Sequence, residues 1–538
     1  MRWAAELGRL AHMGIRGPFG GGVGSDERHP DVMIVHMGQG GLGLPDRDYY
    51  LSQDAALVAK RTAYQSYLAQ LLTMAGESNG AARAAAVVGF ERNLAQVQWT
   101  RIQNRDEQAT YNRWPMAGFA SQAPGFDWGA YFREAGFADQ AELLVAQPSA
   151  FTASARIVGE TPQAVLNDYL MLRVIDRTAP YLSSNFVNAQ FAFRGTVLNG
   201  TPQIQARWKR GVALVTNAVP DDVSRVYVQR YFPPAAKRAA DALVHNIIDA
   251  MDRRLQTLSW MAPETRERAR AKLRAFTPKI GYPDFWHDYS SIRISRTNLV
   301  QNIMNANEWD YQFNLHQLGR PVDRREWWLF SHTVNAVNLP LQNALNFPAG
   351  ILEPPFYNAH ADPAFNYGAI GSVIGHEVSH SFDNLGSGFD AEGRFRNWWT
   401  PADLAHFQAA GQALVRQYNA YEPYPGLHIN GQLTLGENIA DVAGLAAALD
   451  AYHASLHGRP APVIGGLTGD QRFFLAFAQA HRLLAREAAM RAQIATNEHA
   501  PDPWRAETVR NIDAWYDAFN VRPGQAMYLA PADRVRIW

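Results

Sequence analysis

Hydrophobic and polar positions in the first half of the chain follow the pattern and composition of helices. Residues 54–76 and 80–104 are rich in Ala, Leu, Gln and Arg, which favour helices. Residues 139–260 are mostly helical in character too, with proline breaks at Pro162, Pro202, Pro233 and Pro234. Residues 261–280 begin with a Pro-Glu pair and carry Lys and Arg along their length, which predicts a solvated helix.

Two other regions depart from the helical pattern. Residues 12–48 are rich in Gly and Pro, and the glycine run at 17–24 lacks the G-K-[ST] of a phosphate loop, so we predict a turn-rich loop. Residues 327–330 and 333–337 have β-prone, partly alternating composition and predict strands. A proline-bounded apolar loop follows at 347–356, and the small apolar residues after it predict a buried helix.

Length and composition limit the class of protein. The chain has 538 residues, which is too long for one compact core, so we expect two or more domains. Hydrophobic residues are 47% and charged residues 19%, as in globular proteins. The net charge of +0 gives no reason to expect a nucleic-acid partner. No apolar run reaches the roughly 20 residues of a membrane helix, and the first residues printed have no signal-peptide pattern.

The chain has no cysteine. This excludes disulfides, cysteine nucleophiles and thiolate metal sites together. A metal ion in this protein would therefore need histidine and carboxylate ligands.

One short motif has the spacing of a metal site. His376, Glu377 and His380 form an H-E-x-x-H element. Residues four apart share one face of a helix, so both imidazoles can face one metal ion. Glu377 lies one residue further around the helix, where it can reach a water molecule as a general base.

A catalytic zinc ion needs a third protein ligand. A metzincin would have glycine at position 383 and histidine at 386, but the chain has Asp383 and Gly386. A short-spacer aminopeptidase would have a carboxylate near residues 397–400, where there is none. Glu437 and Asp441 are again four apart on a predicted helix, so Glu437 can bind zinc while Asp441 orients a ligand histidine. An alternative interpretation is that Glu437 and Asp441 are two surface carboxylates on an amphipathic helix, because these would have the same spacing.

Together with H-E-x-x-H, several other stretches resemble the M13 (neprilysin-like) zinc metallopeptidases. The resemblance covers essentially the whole chain. The stretches lie at residues 41–50, 280–283, 334–336, 347–356, 436–441 and 535–538.

The resemblance implies a fold. We expect a mainly α protein with a small β component and two neprilysin-like domains, a thermolysin-like zincin catalytic domain and a helical cap domain. Residues 1–78 would form an N-terminal segment that contributes to the catalytic domain. Residues 79–300 would form the cap that encloses the cavity, and residues 301–538 the zinc catalytic domain.

The resemblance also implies a bacterial-type zinc-dependent endopeptidase that hydrolyses short peptides with one Zn²⁺ per chain. His376, His380 and Glu437 would hold the metal. A zinc-activated water would attack the peptide with Glu377 as general base.

Further site residues follow from the same resemblance. His499 would stabilise the oxyanion, where negative charge develops during amide hydrolysis, and Arg505 would bind a substrate carbonyl. Asn335 would hydrogen-bond the substrate backbone, and Ala336 would offer backbone groups from an edge strand. Two apolar residues, Ile351 and Phe356, would line the pocket for the side chain after the scissile bond.

The chain departs from the family pattern in three respects. It is shortened at the N-terminus relative to the family, so we expect that a leader or anchor could be missing. Asn384 replaces a second aspartate after Asp383. Ala480 and His481 replace a bulky apolar or aromatic pair near the specificity pocket, which predicts a weaker preference for Phe or Leu there.

Two alternatives stay open at this point. The chain could be an inactive or N-truncated homologue that only binds peptides, or a zinc hydrolase of non-peptide amides. We expect short peptides as partners, no nucleic acid, and a monomer. The resemblance implies an extracytoplasmic location, periplasmic or secreted, if a leader is missing.

Overall fold

The structure, a computed structural model, describes residues 2–538. Helices contain 57% of the residues and strands 8%, which confirms the predicted mainly α class with a small β component. The helices of the first half cover most of the segments that the sequence predicts as helical. They are α1 (Arg2–His12), α2 (Asp48–Leu51), α3 (Ala55–Met74), α4 (Gly80–Val97), α5 (Glu107–Thr110), α6 (Phe119–Gln122), α7 (Trp128–Glu134), α8 (Pro148–Glu160), α9 (Gln163–Thr178), α10 (Ser184–Gln190), α11 (Arg207–Ala218), α12 (Pro220–Tyr231) and α13 (Pro234–Thr257).

Helices of the second half include the two that carry the H-E-x-x-H motif and the predicted third ligand. Both of these, α17 and α19, form where the sequence predicts them. The helices are α14 (Pro263–Arg274), α15 (Leu299–Leu315), α16 (Pro363–Gly368), α17 (Ile370–His380), α18 (Pro401–Asn419), α19 (Leu435–Ser455), α20 (Gly469–Ala480), α21 (Glu487–Thr496), α22 (Asp502–Ala506) and α23 (Asp513–Phe519).

Seven strands form two small sheets in residues 2–538. The first sheet has the order β1-β2-β4-β3, with antiparallel β1/β2, parallel β2/β4 and antiparallel β3/β4 pairs. The second has the order β5-β7-β6, with β5 parallel and β6 antiparallel to β7. The strands are β1 (Phe19–Ser25), β2 (Met33–Gln39), β3 (Arg113–Pro115), β4 (Glu142–Val145), β5 (Thr277–Gly281), β6 (Val337–Leu339) and β7 (Ala344–Pro348).

The glycine run predicted as a loop is a strand. Residues 19–25 pair with β2 along seven residues, from Phe19 opposite Gln39 to Ser25 opposite Met33. Glycine has low β propensity because it has no side chain to pack. The strand forms because β2 supplies hydrogen-bond partners, a long-range effect that local composition does not report.

The strand predicted at residues 327–330 was wrong, and the one predicted at 333–337 begins only at its last residue. Leu329 donates its backbone N–H to the Asn346 side chain, and Ser331 accepts from the backbone of Gly350. Because these backbone groups find partners outside a regular ladder, the segment folds as turns despite its β-prone composition.

Two hydrophobic clusters form the interior. The first contains buried residues between Trp3 and Leu198, and the second contains buried residues between Val228 and Trp538. Residues on both sides of the predicted 78/79 limit share the first cluster, and residues on both sides of the 300/301 limit share the second. The predicted domain limits therefore do not follow the cores, and they stay a prediction.

None of the helices within residues 2–538 combines the length and the apolar character that crossing a membrane requires.

Candidate metal centre

The centre is built where α17 and α19 cross. Gly375 on α17 and Gly444 on α19 meet at the crossing, and both are buried. A Cβ atom added to Gly375 would collide with the Gly444 carbonyl oxygen, and one added to Gly444 would collide with the amide nitrogen of His376. The two backbones therefore touch, which brings the residues at the ends of both helices close together.

Two imidazoles and one carboxylate converge beside this crossing. The ligand atoms of His376, His380 and Glu437 all lie within 4.8 Å of one another. Oε2 of Glu437 is 3.2 Å from Nε2 of His376 and 3.3 Å from Nε2 of His380. The predicted Glu437 helix is thus placed against the motif, and its carboxylate is buried rather than on a solvated surface.

The donor set suits a zinc ion. Oε2 of Glu437 is buried and makes no well-aligned hydrogen bond in residues 2–538. The Nε2 atoms of His376 and His380 are only 2.9 Å apart. Two neutral imidazoles and a carboxylate, with space left for a further ligand, are typical of catalytic zinc sites. A buried, unsatisfied carboxylate oxygen between two ring nitrogens fits a bound cation.

Each ligand histidine is oriented by an aspartate. Nδ1 of His376 is 2.7 Å from Oδ1 of Asp441, as predicted for that residue's position. Nδ1 of His380 is 2.6 Å from Oδ2 of Asp383. When each Nδ1–H donates its hydrogen bond to the aspartate, the Nε2 atom of that ring presents its lone pair to the centre. The sequence analysis missed this position of Asp383, although its spacing of three from His380 was a usable signal.

Charges around the centre keep Glu437 and Asp441 ionised. Burial acts to raise the pKa of Glu437, yet the imidazoles of His380, His376 and His499 hold that pKa well below its ordinary value. Burial acts on Asp441 in the same way, but Arg505 and His376 lower its pKa below the ordinary range. The site therefore offers an ionised carboxylate, as binding a cation requires.

Glu377 is buried at the cavity wall. Its carboxylate forms no hydrogen bond within residues 2–538, whereas its backbone carbonyl accepts from Nδ2 of Asn338 at 2.7 Å. Asn338 also donates to Oγ of Ser381 at 2.8 Å. The Asn338 side chain therefore ties the edge strand β6 to α17.

A cavity of about 530 Å³ opens over the centre. The structure brings every predicted site residue to its wall. In addition to the three candidate metal ligands, Glu377 and Asp441, these are Asn335, Ala336, Ile351, Phe356, His499 and Arg505.

Two of these residues contact the ligand shell directly. Nε2 of His499 is 2.9 Å from Oε2 of Glu437, and the His499 side chain is 43% exposed. Arg505 donates to Asp441 from Nε at 2.9 Å and from Nη2 at 2.7 Å. Its Nη1 makes no hydrogen bond to any described residue, so one donor of Arg505 stays available to a ligand.

Comparison with known proteins identifies the family. Models of peptidase family M13 match residues 1–283 and residues 335–535. The chain belongs to peptidase family M13. The neutral endopeptidase of Lactobacillus helveticus is 31% identical to this M13 peptidase over 97% of the chain and 79% of that protein.

Two solved structures of Mycobacterium tuberculosis zinc metalloprotease ZMP1 resemble the M13 peptidase at 40% identity. The complex with inhibitor matches with a TM-score of 0.96 over 99% of this chain and 82% of that one. The open state matches with a TM-score of 0.72 over 99% and 84%. The predicted two-domain neprilysin-like architecture is confirmed, and the family is one of zinc metallopeptidases.

The M13 peptidase brings a residue of its first half into this cavity. Arg105 lines the wall and forms an ion pair with Glu498, the residue before His499. The guanidinium also lies near Gly436, next to Glu437. Sequence analysis missed both members of the pair, because residues so far apart in the chain give no local signal of contact.

The departures from the family pattern also lie at the site. Oδ1 of Asn384 is buried without a hydrogen-bond partner among the described residues. Ala480 and His481 line the cavity, and Nδ1 of His481 is 3.2 Å from Oδ1 of Asp502. The His481 ring packs edge-on against Phe477, with ring centroids 4.6 Å apart.

A buried cation holds the loop that follows α17. Lys272 lies on the helix predicted as solvated, yet it is 1% exposed. Its ammonium donates to the carbonyl oxygens of Ser381, Gly386 and Phe389 at 2.7–2.8 Å. Burial lowers the pKa of Lys272 to about 7. The contact fixes the segment that carries Asp383, so a residue predicted on a solvated face supports the centre.

Proposed function

We propose that this M13 peptidase is an endopeptidase that hydrolyses short peptides with one Zn²⁺ held by His376, His380 and Glu437. The observation that carries this proposal is the buried convergence of three ligand atoms within 4.8 Å. The aspartate behind each histidine supports it, because such partners fix ligand tautomers. A zinc ion bound there supplies Lewis acidity.

Glu377 is the proposed general base. Its carboxylate lines the cavity and is free of protein hydrogen bonds among the described residues. It would take a proton from the attacking water and pass that proton to the leaving amine nitrogen. His499 is the proposed oxyanion partner, since its Nε2 lies beside the ligand carboxylate and its ring is partly open to the cavity.

Peptide binding would use the free edge of the second sheet. β6 is the outer strand in the order β5-β7-β6, and the exposed Asn335 and the backbone of Ala336 immediately precede it. An extended peptide can add to such an edge through main-chain hydrogen bonds. Nη1 of Arg505 is the proposed donor to a substrate carbonyl.

The pocket for the side chain after the scissile bond would be lined by Ile351 and Phe356. Both reach the cavity wall, which Ala480 and His481 also share. A methyl group and an imidazole leave more room and more polarity than two bulky apolar residues. We therefore expect a weaker preference for Phe or Leu than in typical relatives, and a peptide-library profile with an undiminished preference would contradict this.

Substrate entry would require opening of the two-domain structure. The chain matches the inhibitor complex of ZMP1 better than the open state, with TM-scores of 0.96 and 0.72. We propose that this peptidase has a comparable open state that admits peptides. Enclosure in the closed state restricts substrates to short peptides. We also propose a monomer that acts outside the cytoplasm, which light scattering and fractionation of source cells would test.

The test compares Glu377→Gln with the parent enzyme and with Glu160→Gln, an exposed position on α8. We expect one zinc per chain in all three proteins by atomic absorption. Cleavage of a short peptide should be lost in Glu377→Gln and in chelator-treated parent, and kept in Glu160→Gln. Loss of zinc from Glu377→Gln would contradict the division of roles. Full cleavage by Glu377→Gln would contradict its role as base. If the parent binds zinc and peptide but does not cleave the peptide, the protein would be a peptide-binding protein and not a peptidase.

A further inference from the structure

A second cavity, larger than the one over the metal centre, is lined mainly by residues of the first half of the chain. Its volume is about 800 Å³, and it is bounded by α1, β1, α9 and α15. Among residues 2–538, none lines both this cavity and the one over the metal centre. The residues that line it are therefore distinct from those of the proposed chemistry.

Positive charge dominates the wall of this cavity. Four arginines and two aspartates line it. The aspartates are Asp310 and Asp176, and Asp176 forms an ion pair with Arg194. Arg173 donates to the backbone carbonyls of Arg16 and Leu42. In a chain of net charge +0, this local surplus of cations favours an anionic ligand.

Two of the arginines have donors to spare. Arg16 and Arg177 are exposed, and within residues 2–538 neither side chain forms a hydrogen bond or an ion pair. A guanidinium presents its N–H donors in a planar fork that matches a carboxylate. Two unpaired guanidinium groups at one cavity wall therefore suit a ligand carboxylate.

The same cavity exposes a strand edge. β1 is the outer strand of its sheet, and Gly21 and Gly22 are exposed on it. On the side of β1 away from β2, the backbone groups of Gly21 and Gly22 make no hydrogen bond within the described part of the chain. A Cβ atom built on Gly22 would meet nothing within 4 Å. An extended peptide can approach such a backbone closely and pair with it.

The wall of this cavity combines buried residues with an exposed tryptophan that lies close in the chain to the metal cavity. Buried Leu7, Ile15 and Phe137 form part of its wall. Trp328, which is 71% exposed, also lines it, and Val334, which is 65% exposed, lines the metal cavity. These two residues are six apart, so their Cα atoms are separated by at most roughly 22 Å. A peptide of about seven extended residues spans that distance.

We propose that this cavity binds the carboxyl-terminal end of a peptide substrate. The terminal carboxylate would pair with Arg16 and Arg177, and the preceding residues would add to the edge of β1. The proposal rests on the proposed function, because it names the substrate class that the metal centre cleaves: peptides with a free carboxyl terminus several residues after the scissile bond.

The experiment compares three synthetic peptides: a ten-residue peptide with a free carboxyl terminus, its carboxyl-terminal amide, and a four-residue peptide too short to reach the cavity. In the parent enzyme we expect the ten-residue acid to have a KM about tenfold below that of the amide, with a similar kcat. An Arg16→Gln/Arg177→Gln variant should bring this acid-to-amide ratio close to one. Arg92→Gln, at an exposed arginine on α4 whose side chain has no partner among the described residues, should keep the parent's ratio.

A second variant tests the strand edge without removing charge. Gly22→Leu projects a side chain into open space at the cavity, so the fold should tolerate it. It should raise the KM of both ten-residue peptides about tenfold, relative to that of the four-residue peptide. Equal KM values of acid and amide in the parent enzyme would overturn the proposal, as would an acid-to-amide ratio unchanged by the double arginine variant.

Failure of the proposed function would look different. If no peptide of any length is cleaved, the metal centre is not a peptidase centre. Titration calorimetry with the uncleaved ten-residue acid and amide on Glu377→Gln reports the second cavity independently of turnover. There the acid should again bind about tenfold more tightly than the amide, and equal affinities would overturn the carboxylate site.

Discussion

Arg505 donates hydrogen bonds to both carboxylate oxygens of Asp441, from Nε at 2.9 Å and from Nη2 at 2.7 Å. The family resemblance implies that Arg505 binds substrate, and the spacing from Glu437 predicts that Asp441 orients a ligand histidine. The structure joins both residues in one chain of contacts that ends at His376. Arg505 therefore also supports the metal centre, and its role in substrate binding stays a proposal for its remaining donor.

This chain of contacts predicts the effect of Asp441→Asn. The amide cannot bear the charge that pairs with Arg505 and orients His376, so zinc affinity should fall about 10- to 100-fold. Competition with a zinc chelator measures the change. Asp470→Asn is the matched control, because Asp470 contacts His453 at the same 2.7 Å but lies outside the metal cavity. Equal affinities for Asp441→Asn and the parent enzyme would contradict the prediction.

The ion pair of Arg105 and Glu498 predicts coupling between the two halves of the chain. Arg105→Gln and Glu498→Gln should each lower kcat/KM about three- to tenfold, because each removes the contact that holds the residue before His499. The double variant should be no worse than the worse single variant. Arg101→Gln, which breaks the pair with Asp46 away from the cavity wall, is the control. Losses that simply multiply would show that the two residues act independently.

Because Gly375 and Gly444 are in contact at the helix crossing, adding one methyl group there should lower the stability of the fold. Gly444→Ala would force α17 and α19 apart, so it should lower the free energy of unfolding by about 1–3 kcal/mol and reduce zinc stoichiometry. Gly89→Ala on α4 meets nothing within 4 Å and should instead stabilise by about 0.5–1 kcal/mol. Apparent melting temperatures should therefore move in opposite directions, and a melting temperature of Gly444→Ala at or above the parent's would contradict the close contact.

The buried carboxyl group of Glu91 on α4 should make the stability of the fold depend on pH. Burial raises the pKa of Glu91 from 4.5 to about 7, although the hydroxyls of Tyr50 and Tyr64 donate to its carboxylate. Between these two values the folded state binds more protons than the unfolded state. The stability from this group is thus fully present below pH 4.5 and is lost as pH rises through about 7.

Glu91→Gln cannot titrate and should remove this dependence. The difference in unfolding free energy, parent minus variant, should fall by about 3 kcal/mol between pH 4.5 and pH 8. Thermal unfolding across this range measures it. Glu160→Gln, at an exposed position, should track the parent at every pH. A parent-minus-variant difference that stays constant with pH would show that Glu91 is ionised in the folded state.

Sequence reasoning succeeded where chemistry and periodicity coincide. H-E-x-x-H and the i, i+4 pair of Glu437 and Asp441 require helices, and both helices form with their small apolar residues buried. It failed where the partner is distant in sequence. The β1 strand depends on β2 for its hydrogen bonds, and Lys272 is buried because three carbonyls from one distant loop surround it. Local composition cannot report such partners.

The hydrogen bond from Asn338 to the carbonyl of Glu377 has one more consequence. It fixes the position of the β6 edge relative to the helix that carries the proposed base. A peptide that adds to this edge would have its register set by main-chain pairing, and a slip of one residue would turn its side chains to the opposite face. The position of the scissile bond would then be set by the number of backbone units that separate it from the fixed β6 edge. Side-chain pockets would refine the choice.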